Sequence, residues 1–272
     1  MGRHEIEALG MTKVVIEDGK VIEVGESQIK YCPLFAKLHN IQEITPEIVR
    51  ANVEFRIRNF GMCASSRKLR MSDYLSFGVS ELIGTSLKQG MLDCAVIVCE
   101  GAGTVIISEP ELVQGIGGRV SGLVTTTSIP EIIEALGEET VLDPVNCTID
   151  QIKGAEKAFE LGFRRIGVTL CSTEDARILR ERYGQRVALF AVHTTGRTEE
   201  EATEMFRYCD IVTACASKYV RSVAKDEAVM QVGNKVPIYA ASLWGEMLLK
   251  KRLEQTKIVN KTSPEDPPRP LL

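Results

Sequence analysis

Apolar and polar positions follow two rhythms along this chain. Near the start, Lys13-Val14-Val15-Ile16-Glu17 and Lys20-Val21-Ile22-Glu23-Val24 are β-rich runs joined by Asp18-Gly19, a dipeptide that accepts the positive φ of a tight hairpin turn. Thr45-Pro46-Glu47 then offers an N-cap and a proline at the first helical position. Ile48, Val49, Val53 and Ile57 continue as an apolar stripe up to Gly61. Together these predict an N-terminal α+β part over residues 1–71 that opens with a β-hairpin. The basic residues Arg67, Lys68 and Arg70 are expected on a loop, as solvated charge or as an anion contact.

From Ser72 a helical pattern runs through Leu75, Val79, Leu82, Ile83 and Leu87 to Gly90. A buried strand over Cys94–Cys99 is expected next, broken by Gly101-Ala102-Gly103-Thr104 and resumed by Val105-Ile106-Ile107. Gly115-Ile116-Gly117-Gly118-Arg119-Val120-Ser121-Gly122 is the most glycine-dense stretch. It reads as a ligand-contacting or mobile loop, although it matches neither the dinucleotide fingerprint nor the P-loop.

The second half is more regular. Short apolar runs fall at Val141-Leu142, Ile166–Leu170, Val187–Val192, Ile211–Ala214 and Val236–Ala240, with helical patterns between them. Strand alternating with helix predicts an α/β domain over residues 72–258, its sheet mainly parallel. Thr148 with Gln151, Ser172 with Asp175, and Thr198 with Glu201 have the spacing of capping boxes, and Gly162 and Gly184 are expected helix stops. A last helix runs from Leu243 toward Gln255, and the Pro-rich residues 259–272 read as an extended tail.

Composition narrows the function classes. A net charge of −4 gives no general attraction for phosphate backbones, so nucleic acid is not an expected partner. No apolar run approaches a membrane span of about 18 residues, and Met1–Gly10 lacks the apolar core of a signal peptide, so a cytoplasmic protein is expected. The eight cysteines stand singly, without any C-x-x-C pair, which suits free thiols.

In open parallel sheets ligands bind beyond the carboxyl ends of the strands. That rule gathers Asp143, Asn146 and Cys147; Cys171 and Ser172; His193, Thr194 and Thr195; Cys215, Ser217 and Lys218; and Ser242 and Trp244 on one rim. Helix N-termini there favour an anionic small molecule or cofactor. Gly101, Gly103, Thr104, Gly115, Gly117, Gly118 and Arg119 join Ser172, Thr194, Thr195, Ser217 and Lys218 as candidate binding residues. Cys171, His193 and Asp143 are the catalytic candidates: a thiol before a capped helix, an imidazole in His-Thr-Thr-Gly, and a strand-end carboxylate. Each has a plain structural alternative in packing, hydrogen bonding or turn capping. Cys147, Cys171, His193 and Cys215 are thiolate and imidazole types that suit a metal, but without the short spacing such sites usually show.

The segments Glu100–Ile106, Gln114–Arg119 and Leu142-Asp143-Pro144 through Gln151, with Tyr31-Cys32-Pro33, resemble methanogenesis marker protein 8. That resemblance covers most of the chain and implies an archaeal, anaerobic setting, with partners in the methane-forming machinery. It supplies no catalytic residues and no cofactor. Gly78-Val79, Leu92–Val98 and Ser217-Lys218-Tyr219 are more faintly similar to the beta subunit of deazaflavin-reducing hydrogenases, whose cysteine-rich cluster motifs are missing here. Two functions follow as expectations: binding of an anionic small molecule or cofactor at the rim, or a non-catalytic partner-binding subunit. A homo-oligomer is compatible with either.

Overall fold

A computed structural model describes residues 2–72, 77–118, 122–257, 260 and 266–272. Its first strand, β1 (Arg3–Ala8), turns His4, Ile6 and Ala8 inward and leaves Arg3, Glu5 and Glu7 on the other face. β2 (Thr12–Glu17) and β3 (Lys20–Val24) form the expected hairpin, with Asp18 and Gly19 at φ 48° and 72°. α1 (Pro33–His39) and α2 (Pro46–Phe60) follow. α2 begins and ends as its sequence requires: Thr45 accepts from the Ile48 amide, and Gly61 takes φ 66°. Its buried Val49 and Val53 pack with Ile6, Val14 and Ile16 into a small core.

α3 (Val79–Lys88) leads to β4 (Cys94–Cys99); the expected helical residue Leu75 lies outside the described residues. β5 (Gly103–Ile107) does not resume β4. The chain reverses at Gly101 and Gly103, φ 82° and 73°, and β5 runs back antiparallel with Gly103 opposite Cys99. The glycine-dense stretch is also reassigned, because α4 (Pro110–Gly117) takes up Gly115 and Gly117. A Cβ on Gly115 would lie 1.8 Å from the Leu69 carbonyl oxygen, so that glycine admits a neighbouring backbone, not a ligand. β6 (Gly122–Thr125) then pairs with β1 and completes a four-stranded antiparallel sheet of order β3-β2-β1-β6.

α5 (Pro130–Leu136) precedes Val141, which makes an isolated bridge to Val105 in place of the expected strand. The N-cap of α6 (Gln151–Glu160) is Asp150, not Thr148. The alternation is then as read: β7 (Ile166–Leu170), α7 (Thr173–Tyr183), β8 (Val187–Ala191), α8 (Glu199–Tyr208), β9 (Ile211–Thr213) and α9 (Lys218–Glu227). Ser172 caps α7 through the Asp175 amide, while Thr198 and Glu201 close a full reciprocal box. β10 (Met230–Val232), β11 (Ile238–Ala240) and α10 (Leu243–Thr256) end the domain.

The seven-stranded sheet has the order β10-β11-β9-β8-β7-β4-β5. β4, β7, β8 and β9 are mutually parallel, but β5 at one edge and β11 near the other are antiparallel to their neighbours. The sheet is therefore mixed, not mainly parallel. Helical crossovers give parallel pairs, and the reversal at Gly101 and the short link into β11 do not. Both faces are covered. Ala95, Ile97 and Phe190 pack toward α3, α4 and α10, whereas Val96, Val168 and Leu189 pack toward α6, α7 and α8. Among the described residues, no helix is long and apolar enough to cross a membrane.

The end of the chain folds back. Arg269 pairs with Tyr31 in an isolated bridge, its guanidinium 3.9 Å over the Tyr31 ring, and Leu272 exchanges backbone hydrogen bonds with Ala216 and Lys218. Residues 259 and 261–265 of the expected Pro-rich tail lie outside the described residues.

Candidate functional site

The carboxyl ends of β7 and β8 open into a cleft of about 360 Å³. Thr169, Leu170 and Cys171 come from the first strand end, Val192 and His193 from the second, and Val79 and Ser80 from the start of α3. The fourth side belongs to the other sheet, which presents Glu7 of β1 and Gly122, Leu123 and Val124 of β6. The site lies on the rim where the strand-end rule puts it, but one of its carboxyl groups, that of Glu7, comes from the N-terminal sheet.

Glu7 and His193 define its centre. His193 Nδ1 lies 3.9 Å from Glu7 Oε1, too long for a hydrogen bond. Neither side chain has a hydrogen-bond partner among the described residues. The imidazole is 42% accessible, its open face turned into the cleft, and the surrounding protein lowers its pKa by desolvation. Burial raises the Glu7 carboxyl, opposed by the Arg197 guanidinium. Both shifts favour the neutral form of each group. His193 also holds φ 53°, a left-handed conformation that costs a non-glycine residue on the order of 1–2 kcal/mol. Gly122 makes room for this: a Cβ there would stand 3.1 Å from Glu7 Cβ and 3.5 Å from His193 Nδ1.

Asp175, Cys171 and Arg197 also line the cleft, and Arg197 lies near enough to Glu7 to oppose its shift. Burial raises the Asp175 carboxyl, assisted by Asp150 and Glu174. Arg197, 27% accessible, pairs with Glu201 at 2.9 Å. It is the lysine-or-arginine charge that the described residues bring to this cleft.

The residues expected to act together are distributed more widely. His193, Cys171 and Gly117 line the first cleft; Thr194, Thr195, Cys215 and Gly118, with Gly117 and His193 again, line a neighbouring one. Asp143 stands apart. Its carboxylate accepts from the Val145 and Asn146 amides, the Asn146 side chain and the Thr148 hydroxyl, which hold its pKa down at about 2. Cys147 is buried against the Gly101 carbonyl and its thiol is pushed up by burial. Gly101 and Gly103 face protein: added Cβ atoms would meet Ile129 at 2.9 Å and the Cys147 carbonyl oxygen at 2.3 Å. Thr104 is buried between Gln151 and the Asp150 amide. Ser217 bonds Thr194 at 2.7 Å, and Lys218 lies over the Tyr219 ring. Arg119 lies outside the described residues.

The four proposed metal ligands do not assemble. Cys171 and Cys215 line different clefts, Cys147 lines neither, and among the described residues no group of three or more His, Cys, Asp or Glu is disposed to hold a metal. Burial also pushes the Cys215 thiol up to about 11.

Glu7, Asp175 and Arg197 were missed by the strand-end rule. Glu7 had a signal: Arg3-His4-Glu5-Ile6-Glu7-Ala8 alternates strictly and so predicts a strand with Glu7 outward. What no local pattern announced is that this strand faces the second sheet.

Fold and site together define a mixed α/β protein with a cleft between its two sheets, lined by a glutamate and a histidine that face each other without a hydrogen bond. The chain belongs to the DUF2099 family, described as an uncharacterized protein conserved in archaea, whose model matches residues 4–254. It is 43% identical over 266 residues to an uncharacterized protein of Methanocaldococcus jannaschii, covering 96% of this chain and 93% of that one. No solved structure matches.

Proposed function

We propose that this protein binds a small molecule carrying an acidic group in the cleft between the sheets, and exchanges a proton with it through Glu7 and His193. The observation that supports this reading is the pair itself. A carboxyl and an imidazole face each other 3.9 Å apart in a cleft, neither of them hydrogen-bonded among the described residues, and the imidazole is held on a strained backbone. Strained residues lacking a structural partner are commonest at functional sites. Arg197 is the group that would hold the acidic end, and Cys171, in the same cleft, is a candidate nucleophile. The resemblance to methanogenesis marker protein 8 extends the proposal to a cofactor or intermediate of the methane-forming pathway.

The test is native mass spectrometry on protein purified without oxygen, comparing wild type with Arg197→Met and His193→Asn. Asparagine tolerates the left-handed backbone. A retained mass in wild type that falls at least about tenfold in occupancy in both variants is the expected result. A retained mass unaffected by either variant would move the site elsewhere; bare protein alone, and no binding by any small acid, would end the proposal.

A further inference from the structure

Beyond Glu7 and His193 the cleft continues into a second of about 430 Å³. Glu7, His193, Val79, Ser80, Gly117 and Val192 belong to the walls of both. The two are thus lobes joined at a waist, and the titratable pair stands at that waist. Both lobes are lined largely by apolar side chains, and the difference lies in their further charged groups: Arg197 and Asp175 line the first, with Cys171, and Glu81 lines the second, beside Leu9, Ile29, Leu34, Phe35, Ile44 and Val236.

Past the waist, the ionisable groups that the described residues bring to the second lobe are Glu81 and the thiols of Cys32 and Cys215. Glu81 accepts from Gln114 at 2.9 Å. The Cys215 thiol, pushed up to about 11, is uncharged at neutral pH. Thr194 is already committed to the Thr213 carbonyl and Ser217. Pro268 closes part of the wall, held there by the pairing of Arg269 with Tyr31. A largely apolar lobe of this size, adjoining one that carries Arg197, suits the uncharged part of the molecule whose acidic part occupies the first.

We infer that the ligand is two-armed: its acidic end lies at Arg197, its reactive middle between Glu7 and His193, and an alkyl or aryl arm fills the second lobe. This rests on the reading of the first lobe given above.

Calorimetric titration of the whole chain with benzoate, 4-phenylbutanoate and 6-phenylhexanoate tests both layers separately. Affinity is expected to rise up to about fourfold for each methylene that carries the ring further into the second lobe. Leu34→Trp and, independently, Leu9→Trp fill that lobe and should abolish the gain while leaving benzoate binding unchanged. Arg197→Met should weaken every member alike. Should benzoate bind and the longer acids bind no tighter, or should the gain survive both tryptophans, the two-armed ligand is overturned and the first-lobe reading stands. Failure of all three acids to bind overturns both.

Discussion

His4 and Glu7 sit three residues apart on the same strand and meet opposite surroundings. His4 turns inward, where its Nδ1 lies 2.6 Å from Thr126 Oγ1, and that oxygen also accepts from the Gly101 amide. Beside it, Arg67 pairs with Glu100, both side chains inaccessible, while the guanidinium also donates to the Lys68 and Gly115 carbonyls. Glu7 turns outward to the cleft and meets His193 without a hydrogen bond. The inner group joins the two sheets; the outer one fills the gap between them. Comparable residue types thus do different work because one set is tied together by buried hydrogen bonds and the other stands open to a ligand.

The comparison breaks most visibly at the inner group. Arg67→Met would strand the Glu100 carboxylate, which already has one oxygen without a partner. Urea unfolding should show a loss of about 3–5 kcal/mol, and the double variant Arg67→Met, Glu100→Leu should recover much of it, because the penalty lies in the uncompensated charge. His193→Asn at the cleft should change stability by less than about 0.5 kcal/mol. If His193→Asn proved as destabilising as Arg67→Met, the cleft pair would be structural.

Much of this arrangement was readable from residue order. The hairpin through Asp18-Gly19, the Thr45 cap, the box at Thr198 and the central β7–β8–β9 repeats rest on local rules and stand where the pattern put them. Arg67 was not readable: in a basic run it looks like solvated surface, and its burial depends on Glu100, 33 residues away. Gly103 and Gly115 looked like ligand contacts, but the backbones that approach them belong to Cys147 and Leu69. The site followed the same division. His193 and Cys171 came from the strand-end rule, whereas Glu7 required knowing that β6 carries the N-terminal sheet across to the rim.

Asp143 sharpens the contrast among carboxylates. Its four donors lower its pKa to about 2 from the ordinary 3.8, so the unfolded chain takes up a proton at higher pH than the folded one. The stability it contributes is complete above pH 3.8 and is lost as the pH falls through that value toward 2. Asp143→Asn should therefore lower stability at neutral pH and flatten the acid limb of a thermal-denaturation series between those two values. An unchanged acid limb would mean that the bonds to Asn146 and Thr148 do not hold in solution.

Glu7 has the opposite sign, and its effect on stability should be the smallest. Burial raises its pKa above 4.5, so the folded state keeps the proton longer than the unfolded chain does. Stability accordingly falls as the pH rises through 4.5 toward the folded value, and above it the ionised group is a standing cost. Glu7→Gln removes that cost while keeping the shape. The side chain is 36% accessible, so water already relieves part of the penalty and the gain should be modest, about 1–2 °C in Tm at pH 7 and nothing at pH 3.5. A carboxyl that serves packing would lose stability on this change. One that is kept against a stability cost should gain it while losing affinity for any acidic ligand whose proton it shares, and both readings can be taken from one melting series with and without 6-phenylhexanoate.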